Sequence, residues 1–144
     1  MGLEIAEILM DLEDEFIVVL DENTQLDGTV RSLENYVLGK FDRARYDTLI
    51  STVNEIPYPD DHILSIGEYR LTRKTITSLP RGFICVPKEY DRKSKIRTAL
   101  LALRDKYADS ECVRRGVRQI IKDRLQFKRD IRPDDHIVRD LGAG

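Results

Sequence analysis

Three stretches of this chain repeat apolar residues at the three-to-four spacing of an amphipathic helix, and two of them lie at its opposite ends. From Leu3 to Phe16 the positions Leu3, Ile5, Ala6, Ile8, Leu9, Leu12 and Phe16 mark one buried face. Val113, Val117, Ile120, Ile121 and Leu125 mark a second, with Asp109 or Ser110 placed to cap it. Between them, Ile96, Ala99, Leu100, Leu103 and Tyr107 predict a helix over 92–107 whose other sides carry Lys93, Lys95, Arg97, Arg104 and Lys106. The pattern predicts a mainly α protein, and 144 residues are enough to bury one core.

Smaller signals fill in the ends. Asp27-Gly28-Thr29 supplies a turn and a capping threonine, after which Val30, Leu33 and Val37 can face the core. Beyond the last stripe, Phe127 and Ile131 are expected core anchors. Pro133-Asp134-Asp135 opens a loop in which Ile137 and Leu141 point inward.

The net charge of −2 conceals an asymmetry. Residues 1–40 hold ten acidic and two basic side chains, which makes −8, whereas residues 41–144 hold sixteen acidic and twenty-two basic, which makes +6. Glu4, Glu7, Asp11, Glu13, Asp14 and Glu15 crowd the first helix, more carboxylates than its dipole alone would call for. The basic part can neutralise this acidic helix within the chain or across a dimer, and the basic face of 92–107 is a candidate to do so. Nucleic-acid binding is disfavoured, because the basic residues are interspersed with Asp and Glu and poor in aromatics.

The two ends also resemble the halves of an acyl carrier protein in reversed order. Leu3, Glu7, Met10, Leu12, Glu13, Glu15 and Phe16, with Thr29-Val30 and Tyr36-Val37, fall on the recurring positions of that family's helices two to four. Residues 113–144 are similar to its helix one and the long loop after it, ending on Asp140-Leu141-Gly142-Ala143. The resemblance covers about half of the chain. It implies a helical bundle in permuted order and a docking role for the acidic helix through Glu4, Glu7, Asp11, Glu13 and Asp14. It also implies that the serine carrying the phosphopantetheine arm is replaced by Gly2, so no cofactor is expected. Residues 21–27 are shorter than the family's third helix, which is expected to shrink to a single turn.

The middle lies outside the resemblance. Pro59-Asp60-Asp61-His62-Ile63 repeats Pro133-Asp134-Asp135-His136-Ile137, each after an apolar helical segment, here Leu49–Ile56, and reads as a duplicated fragment. Carboxylates beside imidazole suit a metal, but Asp-Asp after Pro equally suits a solvated turn, and the turn is preferred. Tyr69–Thr77 and Gly82–Val86, joined through Leu79-Pro80-Arg81-Gly82, predict a small β-hairpin. Cys85 and Cys112 lack CxxC spacing and read as free thiols. Neither a Gly-rich phosphate loop nor a Ser-His-Asp or Cys-His arrangement occurs, and no catalytic residue is assigned.

The expected organisation is therefore residues 1–40 as helices two to four, 41–108 as a central insert with one helix and the hairpin, and 109–144 completing the first domain. An insert of about seventy residues permits that closure, because loop entropy grows slowly with length. A domain-swapped homodimer satisfies the same contacts. The expected function is non-catalytic: an unmodified acyl-carrier-like protein that docks acyl-carrier-dependent enzymes or regulators of fatty-acid or polyketide metabolism. The alternatives are a true carrier modified at another serine and a basic regulatory or nucleic-acid-binding protein. No apolar run approaches the roughly 20 residues of a membrane span, and no signal peptide precedes the first helix, so the expected location is the cytoplasm.

Overall fold

The computed structural model describes residues 3–21, 26–55, 63–66, 69–72 and 88–143, with side chains described outside residues 3, 63–72 and 88–92. Among the described residues the chain is mainly α. Its helices are α1 (Leu3–Phe16), α2 (Val30–Lys40), α3 (Arg43–Glu55), α4 (Lys88–Lys106) and α5 (Ser110–Leu125). Two strands, β1 (Ile63–Ile66) and β2 (Tyr69–Thr72), pair antiparallel with Ile63 opposite Thr72 and Ile66 opposite Tyr69. The residues divide into two units, Met1–Phe41 with Tyr107–Gly144, and Asp42–Lys106.

In the first unit, α5 packs against both α1 and α2. The facing stripes are Ile8, Leu9, Leu12 and Phe16 on α1, Val30, Leu33 and Val37 on α2, and Val113, Val117 and Ile121 on α5, all buried. Ile5, Ala6, Ile120 and Leu125 are only partly covered and form the margins of these stripes. Phe16, Phe41 and Tyr107 form an aromatic cluster, with Phe16 and Tyr107 centroids 4.6 Å apart. Gly116 lets α5 approach this cluster: a Cβ there would stand 2.7 Å from Tyr107 Cε1 and 3.1 Å from Phe16 Cζ. The Tyr107 hydroxyl donates to Glu15 Oε1 at 2.5 Å, which fixes the ring against α1.

The helix ends follow local chemistry. Thr29 Oγ1 accepts from Ser32 N at the start of α2, and Asp109 Oδ1 accepts from Cys112 N at the start of α5. Gln126 turns left-handed after α5 (φ 53°), and Phe127 N then donates to Lys122 O. Ile17 turns left-handed after α1 (φ 53°), costly for a β-branched residue, and is held there in nearly complete burial. The shortened third helix expected over 21–27 falls mostly outside the described residues; Asp21, Leu26 and Asp27 are not helical.

After α5, Ile131, Ile137 and Leu141 are buried, while Phe127 is only half-buried and carries the Arg129 guanidinium over its ring at 5.0 Å instead of entering the core. The loop 133–137 meets the start of α2 along its backbone. Val30 N donates to Asp135 O, Arg31 N to Pro133 O and Ile137 N to Gly28 O. The first two satisfy amides of the first turn of α2 that have no partner within the helix, and the third ties the loop to the residue before its cap.

In the second unit α3 and α4 pack against each other. Tyr46, Leu49, Ile50 and Val53 on α3, and Ile96, Ala99, Leu100 and Leu103 on α4, are buried. Arg104 reaches Asp47 at 2.6 Å and Lys93 Nζ donates to the carbonyl of Asn54, so basic residues of α4 are committed to α3. The hairpin differs from the one expected. Tyr69–Thr72 is a strand, but its partner is Ile63–Ile66, upstream; the expected second strand, Gly82–Val86, lies outside the described residues. β1 also separates the two echoed segments in conformation, because Ile63 is in a strand whereas Ile137 is in a turn.

Candidate functional site

The acidic helix α1 carries six carboxylates, and the structure divides them into two groups. Asp11 is turned inward. Its side chain is only 13% exposed, and Arg124 of α5 grips it with Nε to Oδ2 and Nη2 to Oδ1, both at 2.8 Å. The same guanidinium reaches Glu7 Oε2 at 3.3 Å. Glu13 Oε2 accepts from Leu20 N at 3.2 Å, tying the turn after α1 back to the helix. Glu4, Glu7, Glu13 and Asp14 are half-buried.

Helical arithmetic brings Glu7, Glu13 and Asp14 around Met10, at three or four positions from it, whereas Asp11 lies on the flank facing α5. Met10 is 59% exposed, a long apolar side chain in the middle of a carboxylate rim. Four of the five predicted docking residues therefore sit toward solvent or at its edge, and Asp11 is a structural clamp. Arg124 of α5 meets the acidic helix at both Glu7 and Asp11.

The loop opposite shows why the Asp-Asp-His segment at 134–136 is a joint of the fold. Asp134 pairs with Arg31 at 2.7 Å. Asp135 takes both arms of Arg129, at 2.9 and 3.0 Å, which hold its carboxyl below the usual range. His136 Nδ1 accepts from the backbone amides of Val138 and Arg139. The ring lies against Gly28, whose left-handed φ of 87° and lack of Cβ both admit it. Asp27 accepts from the Thr29 hydroxyl at 2.6 Å and from its amide at 2.8 Å, and these bonds bring its carboxyl down to about 2. The second Asp-Asp-His segment, 60–62, lies outside the described residues. Among the described residues no three His, Cys, Asp or Glu side chains are grouped as metal donors.

Gly2, the position matched to a carrier's serine, lies outside the described residues. Asp140-Leu141-Gly142-Ala143 forms a wound turn: Asp140 N and Leu141 N donate to His136 O, Gly142 N to Val138 O and Ala143 N to Ile137 O. Cys112 is a half-buried free thiol, and Cys85 lies outside the described residues. Among the described residues no helix is long and apolar enough to cross a membrane.

Sequence reasoning missed Glu34. It is fully buried between α2 and α5, with Arg118 Nε 3.3 Å from Oε1 and Arg114 Nη1 3.5 Å from Oε2. Burial pushes its carboxyl up, against the opposing pull of Arg118 and Arg114. The signal was available, because Glu34 is four residues after Val30 and three before Val37, on the buried stripe itself. No protein-family model, curated protein or solved structure matches this chain.

Proposed function

We propose that this protein is a non-catalytic, acyl-carrier-like binding module that docks enzymes or regulators of fatty-acid or polyketide metabolism through α1. The observation that carries the proposal is the exposed Met10 ringed by Glu7, Glu13 and Asp14 on the helix that resembles a carrier's docking helix. An apolar centre with an acidic rim fits a basic partner surface that buries the thioether and pairs the carboxylates. The packing of α5 beside α1 and α2 supports the carrier-like association of the two ends. The glycine at position 2 supports a protein that binds without carrying an arm, since glycine offers no hydroxyl for a phosphodiester.

Two experiments test this reading. Incubation with a phosphopantetheinyl transferase and coenzyme A is expected to leave the intact mass unchanged. A gain of one phosphopantetheine arm would establish a true carrier instead. Capture of acyl-carrier-dependent enzymes from the native cell is expected with the full chain and lost with Met10→Lys, which puts a cation in place of the apolar centre at an exposed position. Capture that is indifferent to Met10→Lys removes α1 as the docking face.

A further inference from the structure

The face of α5 turned toward the loop after it carries Arg115, Arg118, Gln119 and Lys122 at helical spacing. With Asp130 and Ile131 these residues line a cavity of about 270 Å3. We propose that this cavity binds a phosphoryl group, a function separate from the docking role of α1 and independent of the acyl-carrier reading.

Three features of the lining point to such a ligand. Its lining holds three cations and one carboxylate, because Glu34 and Glu111, which pair with Arg118 and Arg115, stand behind the wall and not in it. Arg118 is anchored from behind, by the buried Glu34 at 3.3 Å and by Glu111 at 3.1 Å, so its guanidinium is pre-positioned at the wall. Arg115 and Lys122 are held weakly by comparison. Arg115 reaches Glu111 only at 3.9 Å, with both side chains well exposed, and Lys122, 28% exposed, is bonded at 2.8 Å to Asp130, whose side chain is 97% exposed and so is screened by solvent. Solvated pairs of this kind contribute little and yield to a stronger anion. A phosphoryl group carries up to two charges and three acceptor oxygens, which suits Arg115, Lys122 and the second amide hydrogen of Gln119, whose first is donated to Asp123 at 2.7 Å, whereas a carboxylate offers two oxygens and one charge. The volume lies just under the roughly 300–1,000 Å3 of ordinary ligand pockets, which favours a small ligand. Buried Ile131 supplies one apolar wall for whatever the phosphoryl group is attached to.

Asp130 is then a built-in competitor, and this gives the test opposite signs at neighbouring positions. The full chain is titrated at low ionic strength with inorganic phosphate and with glycerol phosphate, followed by chemical shifts of the α5 amides, with acetate as the monoanion control. Saturable binding of a phosphoryl compound, stronger than that of acetate, is expected. Lys122→Gln should weaken it about tenfold, and Asp130→Asn should strengthen it about threefold. Arg115→Gln, at an exposed position that the fold does not need, should weaken it without changing the far-ultraviolet circular dichroism. Tighter binding of the ester assigns the site to a phosphate monoester, and equal binding assigns it to free phosphate. Binding that does not saturate, matches acetate, or is unmoved by Asp130→Asn overturns the proposal.

Discussion

Removing the Arg124 clamp on Asp11 should loosen the association of the chain's two ends by a measurable and specific amount. The pair joins residues 113 positions apart through two parallel charge-assisted bonds of 2.8 Å. Exposed ion pairs couple by about 0.2–1 kcal/mol, and breaking a fully buried one costs about 3–5 kcal/mol. Here Asp11 is nearly buried but the Arg124 side chain is 37% exposed, so solvent screens one partner. A coupling energy of about 1–2 kcal/mol follows from that intermediate position. Arg124→Gln alone should cost about 2 kcal/mol, because it leaves Asp11 desolvated without its fork. The assay is a double-mutant cycle of Asp11→Asn and Arg124→Gln by urea unfolding. It is run in a Glu7→Gln background, because Glu7 shares the guanidinium and would otherwise enter the difference. A coupling below about 0.5 kcal/mol, the range found for independent sites, would refute the argument that this clamp ties the ends together.

Three further outcomes are expected. Gly28→Ala should destabilise the protein by about 2–4 kcal/mol in the same unfolding assay, because it combines a left-handed backbone with a clash against the His136 ring; a loss below 1 kcal/mol would mean that the loop simply moves aside. Glu34 has a folded-state pKa raised above its unfolded value, so between the two the folded state holds a proton that the unfolded chain releases, and stability falls as pH rises through that window. Glu34→Gln should therefore gain stability relative to the unaltered protein as pH rises from about 4.5, and parallel unfolding profiles would contradict it. Asp27, held down to about 2, works in the opposite direction: its contribution is complete above the ordinary value of 3.8 and is lost as pH falls toward 2. Asp27→Asn should remove that part of the acid-side loss, read as a smaller change in melting temperature between pH 4 and pH 2.

Legibility differed from element to element for physical reasons. Ile8, Leu12 and Phe16, like Val113, Val117 and Ile121, announce their burial because an amphipathic helix writes its inner face into a fixed period. The upstream partner of Tyr69–Thr72 is not legible in the sequence because strand propensity depends on the neighbour, and such a strand fits several partners. Phe127 looked like core by composition, yet in the structure the Arg129 guanidinium lies over its ring.

The charges give the clearest division. An acidic first helix, a basic remainder and a mainly helical make-up follow from the order of residues, because charge counts and a 3.6-residue period are properties of the chain alone. Which carboxylates remain at the surface is set by how the helices pack. Asp11 is clamped and Glu34 is buried because α5 lies against α1 and α2 and delivers Arg124, Arg118 and Arg114 to them, whereas Met10 keeps its exposure on the face that α5 does not cover. A local period fixes which side of a helix is apolar. Which distant cation meets which acid depends on the packing of helices far apart in the chain, which no local pattern encodes.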